Sequence, residues 1–132
     1  MYLLEFHDEC TYHYHVSNLF KGLEVALHIF RRCLENREGA ECYSKEFDFI
    51  DELLKDIVSW IHQPFVYQET YDLEDLSEIR VDIVYEFDRL GHPRLSCWIT
   101  DDYDSAGWVE LDYHGQSSTS YPDLPDDWRD NL

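Results

Sequence analysis

The chain reads as an α+β domain in which an antiparallel sheet is covered on one face by two antiparallel helices. Three observations predict this. Between Ile79 and Gly115, three runs of alternating apolar and polar residues are separated by turn-like clusters, as in a meander. Residues 19–34 and 47–61 instead repeat apolar residues every three or four positions. Residues 1–16 alternate again, as a strand or a short hairpin.

In chain order, MYLLEFH is strand-like, Asp8 and Glu9 make the turn, and Cys10 to Val16 sets Tyr12 and Tyr14 against Thr11, His13 and His15. Ser17 is placed to cap a helix, because its hydroxyl can accept an orphan backbone N–H. The stripe Leu19, Phe20, Leu23, Ala26, Leu27, Phe30 and Leu34 predicts one buried helix face, and Asn36 to Gly39 a stop. A second helix starts near Tyr43 or Ser44 with the stripe Phe47, Ile50, Leu53, Leu54, Ile57, Val58 and Ile61, and Pro64 marks its end. The short link between the helices favours an antiparallel pair. Phe65 to Tyr67 has the character of a short strand, and Thr70 to Glu78 that of a loop or one helical turn.

The meander then follows. Its inner set is Ile79, Val81, Ile83, Tyr85 and Phe87, then Leu95, Cys97 and Ile99, then Val109, Leu111 and Tyr113. A period of two places Asp82, Glu86, Asp88, Glu110 and Asp112 on the other face, with Val84, Trp98 and Trp108 among them. Residues 115–132 read as an extended tail with Tyr121, Leu124 and Trp128 as anchors, and residues 1–132 as a single acidic domain.

Composition narrows the function. The net charge is -19, from 10 basic and 29 acidic residues, yet 44% hydrophobic and 16% aromatic content excludes a disordered acidic tail. Residues 65–132 hold 17 of the acids and only 4 of the bases, so the field is directional. Phosphate is repelled, which argues against nucleic acid or an anionic membrane as a direct ligand. Cys10, Cys33, Cys42 and Cys97 have no CxxC spacing, and no signal peptide or membrane span is visible. The expectation is a cytoplasmic protein with reduced, mostly buried thiols.

Catalytic and metal motifs are missing. No G-x-S-x-G elbow or phosphate-binding glycine loop occurs, so the expectation is a non-enzyme with no cofactor. His7, His13 and His15 can share a sheet face, but their spacing matches no zinc pattern and they read first as strand histidines. Asp101, Asp102 and Asp104 with Glu110 lack the spacing of a calcium loop and read as an acidic turn.

The sharper signal is aromatic. Trp98 and Trp108 amid Asp82, Glu86, Asp88, Asp101, Asp102, Asp104, Glu110 and Asp112 form a candidate partner-binding surface, since indoles within a polar rim are typical interface anchors. The competing structural explanation is that the tail or the first hairpin covers them. The pattern favours a small inhibitor of a nucleic-acid enzyme, such as a restriction, CRISPR-type or toxin nuclease, with carboxylates standing where phosphates lie. The alternative is an adaptor or assembly module whose acidity is incidental.

Overall fold

The computed structural model describes residues 1–8, 10–37, 39–72, 78–101, 105–115 and 121–131. The chain folds as β1 (Tyr2–Asp8), β2 (Cys10–Val16), α1 (Leu19–Glu35), a 3-10 turn (Ala40–Tyr43), α2 (Ser44–Lys55), α3 (Ile57–Trp60), β3 (Phe65–Asp72), β4 (Glu78–Phe87), β5 (Pro93–Thr100), β6 (Ser105–Tyr113) and α4 (Trp128–Asn131). The α+β class holds. The sheet is larger than the meander and hairpin foresee: six antiparallel strands in the order β2-β1-β6-β5-β4-β3. β1 lies beside β6, so the first and last strands of the chain meet in the middle and join hairpin to meander.

Alternation drives this assembly. Leu4 and Phe6, Ile79, Val81, Ile83 and Tyr85 of β4, Leu95, Cys97 and Ile99 of β5, and Val109 and Leu111 are buried against the helices, whereas Phe87 is half-buried and Tyr113 is exposed at the end of the inner set. α1 crosses β6, β1 and β2, and a methyl placed on Gly22 would stand 2.9 Å from two Leu111 carbons, so a glycine permits the close approach. α2 and α3 pack on α1, and Phe49 of α2 stacks on Tyr67 of β3 at 4.5 Å. Trp60 closes the core edge-on to Phe65 and Tyr85, with its indole N–H donating to the Leu53 carbonyl at 3.0 Å.

Several elements differ from the expectation. Asn18, not Ser17, caps α1, its side chain accepting the Lys21 N–H at 2.8 Å. Phe20 is exposed while Val25 and Ile29 are buried, because α1 packs on more than one side. The second helix breaks at Asp56, whose φ of -151° and ψ of 74° are non-helical, and the rotated α3 points Val58 to solvent. Thr70 to Asp72 belong to β3, not to a loop; residues 73–77 lie outside the described residues. Ser105 to Gly107 extend β6, with a bulge where Ile99 pairs Gly107 and Thr100 pairs Ser105. The tail is held at residues expected to anchor it: Leu124 bonds to His15, Trp128 is only 2% exposed, and Asp123 bridges His15 in parallel. Cys97 is buried, but Cys33 and Cys42 are half-buried and Cys10 is exposed, so the thiols are less enclosed than expected.

Candidate protein-binding face

The helices cover one side of the sheet, and the other side carries the residues singled out by alternation. Strand register orders them into rows. One row runs Thr11, His7, Trp108, Trp98, Asp82, Gln68 from β2 to β3. The next runs His13, Glu5, Glu110, Ser96, Val84, Val66, and the third places His15, Leu3, Asp112, Arg94 and Glu86 side by side.

The two tryptophans lie at the centre of the sheet, half-buried and stacked on each other with centroids 5.5 Å apart at 20°. A cross-strand pair brings the rings together because directly opposite side chains project from the same face. His7 extends the stack, its ring 6.4 Å from that of Trp108. The first hairpin therefore adds a ring beside the indoles instead of covering them. The described part of the tail goes elsewhere: Tyr121 stacks on His13 at 4.8 Å, and Trp128 packs near His28 of α1.

The carboxylates are less uniform than the charge count implies. Asp82 is ion-paired with Arg80 at 3.1 Å. Arg94 reaches both Glu110 and Asp112, each at 3.2 Å. Both arginines alternate in register with the acids, so the period of two already placed them on this face. The excess of acids over bases in the second half of the chain obscured them. Glu86 is exposed opposite Arg94. Asp88 lies just past the end of β4. It sits in the β4–β5 turn and accepts the backbone N–H groups of Leu90 (2.8 Å) and His92 (2.9 Å), which with the nearby His92 ring hold its carboxyl below the usual range. Asp88 is thus a turn former. Asp101 ends the described part of β5's edge and is half-buried; Asp102 and Asp104 lie outside the described residues.

Topology also gathers charge at one end of the sheet. Asp72 and Glu78 pair where β3 ends and β4 begins, and Asp101 follows β5 at the same end. A shallow cleft of about 250 Å³ at the opposite end brings Glu86, Asp88 and Asp112 beside Arg94 and His92, with the His92 ring on Tyr113 at 3.9 Å.

The three histidines have separate partners. His7 Nδ1 is 3.1 Å from the Thr11 hydroxyl, His13 is 3.3 Å from Glu5, and His15 is buried edge-on to Tyr121. Among the described residues no group of three or more His, Cys, Asp or Glu is arranged as metal ligands. No helix among them is long and apolar enough to cross a membrane.

One polar cluster was missed altogether. Glu46 of α2 is fully buried and accepts hydrogen bonds from the hydroxyls of Tyr67 (3.1 Å) and Tyr71. Burial first, and then this carboxylate, push both phenols well above the ordinary tyrosine range. The signal was weak: Glu46 resembles any acid in a helix's first turn.

No family model, no curated protein and no solved structure matches the chain.

Proposed function

We propose that this protein is a non-catalytic, inhibitor-type binding protein that lays its helix-free sheet face on a positively charged surface of a nucleic-acid enzyme. The observation that carries the reading is the stacked Trp98–Trp108 pair, half-open at the centre of that face and flanked by Asp82, Glu86, Glu110 and Asp112.

Magnitudes divide the work between these groups. Exposed ion pairs contribute roughly 0–1 kcal/mol each. A buried interface tryptophan contributes about 2 kcal/mol or more on truncation. Affinity therefore rests on the indoles, which offer flat faces to arginine or lysine side chains. The net charge of -19 acts at longer range, raising the encounter rate with a cationic surface. Arg80 holds Asp82, and Arg94 holds Glu110 and Asp112, so these three carboxylates stand in fixed positions beside the indoles.

The test is affinity capture from the native host, identification of basic partners, and kinetics with the purified pair. Trp98→Ala and Trp108→Ala are each expected to weaken binding by more than about tenfold. Raising salt from about 0.05 to 0.5 M is expected to slow association strongly while leaving dissociation less affected. A partner that binds both variants as well as the parent, or that associates equally fast at high salt, removes this reading. In the adaptor alternative, α1 or the first hairpin carries the interface and the acidity is incidental, so salt matters little; a homodimer through the tryptophan face is one version of it.

A further inference from the structure

The six-stranded sheet has two outer strands, and they are finished differently. β2 is followed on its free side by the tail: the His15 N–H donates to the Pro122 carbonyl and the Leu124 N–H to the His15 carbonyl, each at 2.9 Å. β3 pairs only with β4 among the described residues. It is eight residues long, and Val66, Gln68, Thr70 and Asp72 alternate as exposed positions, Val66 at 68%. A strand of this length with one unpaired side is a template for another strand.

We infer that the β3 edge accepts an extended basic segment of a partner protein as a seventh strand. Three features select this occupant. First, the inner side of β3 is only half-buried, and Phe49 of α2 overhangs it, stacked on Tyr67 and edge-on to Phe65 at 5.7 Å. A strand added beside β3 would find an apolar wall for alternate side chains. Second, Glu69 points to the inner side of this edge strand, where Lys45 stands 3.7 Å away. An inward charge on an edge blocks indiscriminate pairing, but a lysine or arginine on the incoming strand converts the block into a recognition contact. Third, a second copy would bring another net charge of -19 and another Glu69 and Asp72 to the junction. Like charge therefore disfavours self-pairing and favours a cationic segment. This inference is independent of the tryptophan face and would stand if that face bound nothing.

The test uses the full chain and a capped octapeptide of alternating arginine and valine, read by fluorescence anisotropy in about 0.15 M salt. A fully N-methylated analogue keeps the charge and loses every backbone N–H donor; it is expected to bind about tenfold more weakly or worse. A glutamate-for-arginine peptide is expected not to bind. Amide hydrogen exchange is expected to slow over residues 65–72 when the first peptide is added, and Glu69→Lys is expected to abolish that effect. Equal binding of the methylated analogue would show unspecific charge attraction and overturn the inference. So would slowing confined to β5 and β6, or a dimer by light scattering whose β3 amides are already protected, which would make a second copy the occupant.

Discussion

The β2 edge of the sheet is covered by the tail at His15, whereas the β3 edge is anchored on its inner side and has no strand along its outer backbone among the described residues. At β2, the chain uses its C-terminal segment. Tyr121 lies on His13, Pro122 and Leu124 bond to His15, and Trp128 fills the flank of α1, with Lys21 and Arg129 over its ring at 5.3 and 5.2 Å. Arg129 is tied in turn to Glu24 at 2.8 Å. At β3, a buried carboxylate, Glu46, gathers Tyr67 and Tyr71, and Tyr85 donates to the Ile61 carbonyl at 2.7 Å. One edge is stabilised by covering backbone with backbone, the other by pinning side chains from beneath. The second leaves a strand of eight residues with one side unpaired among the described residues.

The largest expected effect is at the edge that the tail covers. Trp128→Ala should destabilise the fold by about 3–5 kcal/mol, the usual cost of truncating a buried aromatic, as read by urea denaturation. It should also speed exchange of the His15 amide, which bonds to Pro122. A loss below about 1 kcal/mol would make the tail a surface strap and weaken the contrast between the edges.

At the pinned edge, Glu46→Ala should cost about 2–3 kcal/mol, since it leaves the hydroxyls of Tyr67 and Tyr71 without their charged acceptor. Glu46→Gln, which keeps one acceptor oxygen, should cost less. If both variants match the parent, the cluster does not hold β3.

Alkaline titration reads the same cluster without mutation. Burial, aided by Glu46, raises the folded-state values of Tyr67 and Tyr71, and burial also pushes Tyr85 up to about 12. Groups raised in this way stabilise the fold fully below the unfolded tyrosine value of about 10, and that contribution is lost as pH rises through the folded values. Stability should therefore fall above about pH 10, with part of the tyrosinate absorbance appearing only as the chain unfolds. A smooth titration of every tyrosine in the folded state would place the phenols in solvent. The smallest effect is expected at the open edge itself: Val66→Thr, at an exposed position, should change stability by less than about 0.5 kcal/mol.

Much of the fold was legible because it rests on local periodicity. Strict alternation in β4, β5 and β6 gave both the strands and the face on which Trp98 and Trp108 stand. β3 was only partly visible, since Glu69 interrupts the apolar set and Gln68 to Asp72 looks like a polar loop. Its inward carboxylate is explained by Lys45, a residue more than twenty positions earlier in the chain. The turn role of Asp88 is not legible in the sequence, because a carboxylate following a strand looks like a further outward residue. Its two backbone N–H donors are visible only in the turn.

Alternation and helical spacing, which each residue shares with its near neighbours, determined the α+β class, the meander, the first hairpin and the side of the sheet that lacks helices. Tertiary structure alone decided that β1 joins β6, that Arg94 meets Glu110 and Asp112 across the strands, and that the tail reaches His15 at the β2 edge. Those outcomes depend on contacts between residues far apart in the chain, where loop closure is offset only by specific packing and charge pairing, and no local pattern records them.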